Sequence, residues 1–267
     1  MLDLDRPILT LDADVTAKLR RWNLAAAGLH FVTGLVIVLI GDRDFGLPVT
    51  SFNINGPPGT DLANGVFNEV FSFPLALGVA AFSFLSALFH LIVVVADQRY
   101  HHELERGRNR FRWVEYSLSS TLMIVLIAMV TGITDIAALI AVAFVNAAMI
   151  LFGWIMEMAS RPGPDAWWTP FWFGCVAGIG PWTAIVVSII ANVSVDGGEG
   201  PPAFVYGIIV TIFVFFNCFA VTQWLQYRRI GKWADYVHGE KTYIVLSFVA
   251  KSALAWQIFG NTLIPEA

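Results

Sequence analysis

Seven long apolar stretches, separated by more polar segments, dominate the sequence. Each approaches or exceeds the roughly 20 residues that a helix needs to cross a bilayer. Membrane β-barrel strands alternate between polar and apolar positions, and these continuous runs do not. The pattern therefore predicts an all-α membrane protein, a bundle of seven transmembrane helices over residues 22–41, 71–96, 111–133, 136–158, 168–191, 203–227 and 242–264.

The composition agrees with a membrane protein. Apolar residues make up 57% of the 267 positions and charged residues 13%, against about 25% charged in soluble domains. The net charge of −4 gives no basic surface for nucleic acid. Cys175 and Cys218 lie in apolar runs without metal-site spacing, so no metal is expected. Four aspartates and no apolar core in the first twenty residues argue against a cleavable signal peptide.

The positive charges predict an orientation. Fourteen of the sixteen Lys and Arg residues lie in the N-terminal segment or near the connections after the second, fourth and sixth spans, whereas Arg43 lies on the other side. Positive charge concentrates in cytoplasmic segments, which predicts a cytoplasmic N-terminus and an extracellular C-terminus. Most connections are short, so neighbouring helices are expected to pack antiparallel in a single domain spanning residues 1–267.

The first external loop, residues 42–70, is unusually long. Glycine, proline and asparagine residues in it flank short β-favouring pieces that contain Val49, Phe52 and Ile54. Turn residues around such pieces are typical of a β-hairpin. An irregular loop is an equally good interpretation of the sequence.

Lys251 is the only lysine or arginine deep inside an apolar span. It follows Lys241 by ten residues, which places it roughly 15 Å from the membrane edge. A lysine side chain reaches only about 6 Å, so its amine cannot contact solvent. Two explanations are open: the amine pairs with a buried acid, or it forms a Schiff base with a cofactor, because burial favours the neutral nucleophilic amine.

Several motifs narrow this choice. The seventh span reads SFVAKSALAWQIFGNTL, the third begins RWVEYSLSS, and the sixth continues as FNCFAVTQWLQYRRIGKWADY. SALFH in the second span and the run Asn146–Trp154 in the fourth complete the set. With these motifs the chain resembles the heliorhodopsins, the microbial rhodopsin family of inverted topology. The resemblance implies a rhodopsin-like bundle that carries all-trans retinal as a Schiff base on Lys251.

A charged Schiff base inside the bundle needs a counterion. Glu115 is the only acid inside an apolar run and away from a loop edge, since Asp97, Asp135 and Glu157 mark span ends. It also follows Arg112 by three residues, so an interfacial pair with that arginine is the alternative. The resemblance assigns Glu115 as the counterion.

Other polar residues lie near these two. Ser247 precedes Lys251 by four residues and shares its helix face, and the resemblance adds Ser119 as a second hydrogen-bonding group. His30 and His90 lie within spans, where they either form a polar cluster that handles protons or are simply packed against backbone carbonyls.

The resemblance also implies which side chains line the retinal pocket. A polyene needs an apolar sleeve with aromatic walls. With 37 aromatic residues in the chain, any single aromatic side chain could instead face lipid or core. The implied lining consists of Trp113, Tyr116, Ser120, Asn146, Met149, Pro181, Trp182, Phe216 and Gln223.

The resulting functional hypothesis is a light sensor with a slow photocycle and no net ion pumping. Ser247 stands where ion pumps carry a second carboxylate, and Leu126 stands where proton pumps carry a proton donor. The alternative is a light-driven or light-gated proton transporter using His30, His90 and Glu115. A membrane enzyme is not expected, because no nucleophile–base pair or metal cluster is present in the sequence. Expected partners are retinal, membrane lipid, a second copy of the chain and a cytoplasmic signalling protein.

Overall fold

The computed structural model describes residues 6–194 and 200–264. Within these residues, seven helices are long and apolar enough to cross a membrane, which confirms the predicted number of spans. The spanning helices are α1 (Ala13–Ile40), α2 (Leu75–Val95), α4 (Arg110–Val130), α5 (Ile136–Ala159), α6 (Thr169–Ser194), α7 (Ala203–Tyr227) and α8 (Tyr236–Ile258). A short helix, α3 (Asp97–Glu105), lies between α2 and α4, and a π-helical turn, Phe259–Leu263, follows α8.

Two helices begin well before the predicted spans. α1 begins at Ala13 instead of residue 22, and Asp12 caps it by accepting a hydrogen bond from the Val15 amide at 2.7 Å. α8 begins at Tyr236 instead of residue 242, capped by Asp235. A capping carboxylate satisfies amide groups that have no partner within the helix. The added turns are polar, so apolar patterning misses them.

The connection between α2 and α4 is helical, whereas the sequence pattern indicated only a polar segment. Tyr100 and Leu104 of α3 are buried against Leu19 and Tyr236. The backbone amide of Ile8 donates to the carbonyl of Glu105 at 2.7 Å. α3 therefore joins the N-terminal segment to the ends of α1 and α8.

The long first loop is a β-hairpin, so the hairpin interpretation is confirmed over the irregular loop. Strands β1 (Gly46–Ile54) and β2 (Gly65–Pro74) pair antiparallel, and the rings of Phe52 and Phe67 lie opposite each other at 4.7 Å. The Thr50 amide donates to the Thr134 carbonyl at 2.8 Å. The hairpin is thereby fixed to the connection between α4 and α5.

The helices pack side by side in the order α1, α2, α4, α5 and α6, and α8 contacts both α1 and α7. Residues of α4 such as Ile124, Leu126 and Ile127 are almost completely buried. They belong to the largest apolar cluster, together with residues of α2, α7 and α8. α4 and α8 each have a buried face, so the polar side chains on that face lie inside the bundle.

Candidate functional site

The centre of the bundle contains an ion pair between α8 and α4. Lys251 Nζ lies 2.5 Å from Glu115 Oε1 and donates a second hydrogen bond to Ser247 Oγ at 2.8 Å. Lys251 is 4% exposed and Glu115 5%. Ser247 lies one helical turn before Lys251, so α8 presents both side chains on one face. The two residues singled out in the sequence are thus in direct contact.

Glu115 has a second partner that the sequence analysis missed. Ser86 of α2 donates its hydroxyl proton to Glu115 Oε1 at 2.6 Å. Ser86 is the first residue of the SALFH motif, which could have indicated it. The alternative pairing of Glu115 with Arg112 does not occur, because Arg112 forms its ion pairs with Glu157 and Glu240.

Lys251 lies at the wall of a large apolar cavity of about 570 Å³. This volume is in the range of sites that enclose small ligands and cofactors. Ser119 also lines the cavity, and its buried hydroxyl has no hydrogen-bond partner among the described residues. An apolar cavity with a lysine and an unpaired hydroxyl in its wall fits a polyene attached at the lysine.

Seven of the nine pocket residues implied by the resemblance line this cavity: Trp113, Tyr116, Ser120, Met149, Trp182, Phe216 and Gln223. The ring of Trp182 meets that of Phe216 edge-on at 5.7 Å. Trp113 packs so closely on Gly153 that an added Cβ would lie 2.4 Å from its ring. Aromatic side chains from α4, α6 and α7 therefore form part of the cavity wall.

Asn146 and Pro181, which the resemblance also implied, are not among the residues that line this cavity. Asn146 is buried one layer behind it and donates hydrogen bonds to Ser120 and Thr121, each at 3.0 Å. Pro181 lies inside α6 and is buried, next to the lining residue Trp182. Asn146 thus supports the wall through Ser120.

The two histidines stack on each other beside the ion pair. The rings of His30 and His90 lie 5.7 Å apart and nearly parallel, and His90 Nδ1 is 2.8 Å from Asn23 Oδ1. His90 and Glu115 line a second, smaller cavity of about 30 Å³, which does not include His30 in its wall. A polar space of this size holds one or two water molecules.

A buried charge network that the sequence did not reveal lies at the wall of the smaller cavity. Arg112 is 6% exposed and pairs with Glu157 of α5 and Glu240 of α8, both 2% exposed. Glu157 was interpreted as a span end, and Glu240 fell in a predicted connection. The capping residue Asp235 is the signal that would have extended α8 to include Glu240.

Tyrosine side chains complete this network. Tyr100 of α3 donates to Glu240 Oε1 at 2.9 Å, and Tyr236 donates to Glu157 Oε1 at 3.1 Å. Burial, together with the nearby Glu240 carboxyl, raises the pKa of the Tyr100 phenol well above its ordinary value. Tyr100 is therefore a neutral hydrogen-bond donor that joins α3 to the network.

Two tyrosines separate the large cavity from the smaller one. Tyr116 and Tyr243 line both cavities, and the Tyr116 hydroxyl donates to the Tyr243 carbonyl at 3.1 Å. The guanidinium of Arg112 lies 3.9 Å from the centre of the Tyr243 ring. The apolar cavity and the charged network are thus held on either side of one aromatic wall.

Seven apolar helices around such a cavity, with a buried lysine in its wall that pairs with a carboxylate outside the wall, fit a retinal protein of the rhodopsin class. The family model for heliorhodopsin matches residues 19–263, and the chain belongs to the heliorhodopsin family. This confirms the resemblance seen in the sequence. Membership implies a light-responsive, retinal-binding protein, and with the seven spans it makes the chain a multi-pass integral membrane protein. Comparison with curated proteins gives no match.

Replacing Arg112 by methionine should destabilise the bundle by about 3–5 kcal/mol, because it leaves buried carboxylates without their cation. Arg110→Met is the matched control, since Arg110 pairs with Glu103 from an exposed position and should lose less than about 1 kcal/mol. Unfolding of the purified variants in detergent measures both changes. Equal effects of the two substitutions would contradict the importance of the buried network.

Proposed function

We propose that the protein is a light sensor that carries all-trans retinal on Lys251 through a Schiff base. The observation that carries this proposal is the position of Lys251, which lines the large apolar cavity and lies 2.5 Å from the Glu115 carboxylate outside that cavity. A lysine in a dry, apolar site is well suited to condense with an aldehyde. When bound, retinal supplies the absorption of visible light and the photoisomerisation.

Glu115 serves as the counterion in this proposal. It balances the positive charge on the lysine nitrogen, because an unpaired charge inside the bundle is costly. Ser247 accepts a hydrogen bond from the lysine nitrogen without adding charge. The Ser119 hydroxyl in the cavity wall, unpartnered among the described residues, would be available for a second hydrogen bond. Glu115 and the polar region around His90 and His30 would be the groups that hold a proton released from the lysine nitrogen.

Two features support sensing over pumping. Ser247 provides a hydroxyl where ion pumps carry a second carboxylate. Leu126, at the position of a pump's proton donor, is completely buried in the apolar core. The path from the ion pair along α4 toward the hairpin end of the bundle therefore lacks an acid at this position.

The orientation and partners belong to the same proposal. The ends of the helices opposite the hairpin carry fourteen of the sixteen Lys and Arg residues, so we assign them to the cytoplasm. The chain then acts as a single seven-helix domain in the lipid bilayer and forms a homodimer. It has no enzymatic activity of its own and passes its signal to a cytoplasmic protein.

Adding all-trans retinal to the expressed full-length chain should give a visible pigment, and Lys251→Ala should remain colourless because it lacks the amine. Lys232→Ala, at an exposed position, should bind retinal as the parent does. Absorption spectra of the purified proteins are the measurement, and thermal unfolding shows whether the Lys251 variant is folded. A visible pigment in folded Lys251→Ala protein would overturn the proposal.

Glu115→Gln should shift the visible absorption band, because it removes the negative charge beside the nitrogen. The band should move to longer wavelength if the Lys251 nitrogen keeps its proton, and to the near ultraviolet if that nitrogen loses it. Glu103→Gln removes a carboxylate on α3 and should leave the spectrum unchanged. An unaltered band in Glu115→Gln would show that the counterion lies elsewhere.

Illuminated vesicles containing the pigment should show no sustained change in pH and no sustained current. Lys251→Ala vesicles provide the baseline for heating and scattering. A sustained proton flux that a protonophore abolishes would favour the transporter over the sensor.

A further inference from the structure

The buried network of Arg112, Glu157 and Glu240 contains more acid than base. Among the described residues, Arg112 is the only lysine or arginine in an ion pair with either carboxylate. Both carboxylates are nearly inaccessible to solvent. A single guanidinium balances one negative charge, and a second, uncompensated carboxylate would be costly at this depth. One of the two acids is therefore expected to hold a proton.

Glu157 has the hydrogen bonds of an ionised carboxylate. Its Oε2 accepts from the Asn109 amide at 2.9 Å and from Trp113 Nε1 at 2.5 Å. Its Oε1 accepts from Arg112 and from the Tyr236 hydroxyl. Each oxygen thus has two donors, and a carboxylate has about four acceptor positions. No position is left for a proton.

Glu240 has a different arrangement. Its Oε1 accepts two hydrogen bonds, from the Tyr100 hydroxyl at 2.9 Å and from Asn109 Nδ2 at 2.7 Å. Its Oε2 accepts only from Arg112 Nη1, at 2.7 Å. Oε1 thus has the partners of a carbonyl oxygen, and Oε2 retains room for a proton. Glu240 also lines the smaller cavity, together with Glu115 and His90.

Among the described residues, Arg112 is the positively charged group that forms an ion pair with Glu240. His90 lines the same cavity, and its Nδ1 is hydrogen-bonded to Asn23 Oδ1. The titratable and charged groups that surround Glu240 are His90 from α2, Tyr100 from α3, Arg112, Glu115 and Tyr116 from α4, Glu157 from α5, and Tyr236 and Tyr243 from α8.

We infer that Glu240 is a neutral carboxylic acid that carries its proton on Oε2, whereas Glu157 is the ionised partner of Arg112. The smaller cavity then has an ionised carboxylate, Glu115, in one part of its wall and a proton-holding acid, Glu240, in another. Tyr100 connects this acid to α3. The inference concerns the chain's own carboxyl groups and does not require bound retinal.

Infrared spectroscopy of the full-length chain in membranes tests this assignment. Glutamate labelled with ¹³C in its side-chain carboxyl identifies the carbonyl stretching band of a protonated glutamic acid, which also moves on deuterium exchange. Tyr100→Phe removes a hydrogen bond to the Glu240 carbonyl oxygen and should move the band to higher wavenumber. Tyr236→Phe is the matched control, since it removes a hydrogen bond to Glu157 and should leave the band in place.

Two results would overturn the assignment. A band that responds to Tyr236→Phe and not to Tyr100→Phe would place the proton on Glu157. The absence of any protonated glutamic acid band would mean that both acids are ionised. Because the band comes from the chain itself, the test remains valid even if retinal gives no visible pigment.

Discussion

The contact between the Lys251 amine and the Glu115 carboxylate is the interaction on which the rest of the site depends. Either charge alone would be unstable inside an apolar bundle, whereas the pair is balanced and hydrogen-bonded to Ser86 and Ser247. Three helices are held in register by this pair, because its members and partners come from α2, α4 and α8. The apolar cavity and the polar cavity both begin at this point.

The Lys251–Glu115 pair and the network around Arg112 both include side chains of α4 and α8. Glu240, Tyr243, Ser247 and Lys251 follow one another on α8 at spacings of three and four residues, so they share one face. On α4, Arg112 lies one turn before Glu115. The helix thus presents a cation to one pair of acids and an anion to the lysine. The ion pair between Lys251 and Glu115 is thus separate from the network around Arg112, whose net charge depends on whether its acids hold a proton.

Apolar patterning predicted the seven spans, and turn residues indicated the hairpin as one of two interpretations. Lys251 was conspicuous as a buried cation, and the family resemblance assigned Glu115 as its partner. The network around Arg112 left only an indirect signal, the capping residue Asp235 before α8. Glu240 lies in the polar first turns of α8, and its burial depends on the packing of α3 and α4 against that helix. Asn146 shows a second limit: it supports Ser120 from behind the cavity wall, and only side-chain directions in three dimensions distinguish support from lining.

The aromatic wall formed by Tyr116 and Tyr243 divides the interior side chains into two groups that can be substituted separately. Residues such as Trp182 and Phe216 reach only the large cavity, and Glu240 and Asn109 reach only the small one. For the proposed pigment, a substitution in the first group would change the surroundings of retinal without replacing a residue of the charged network. Natural variation in absorbed wavelength would then be separable from variation in the groups that hold protons.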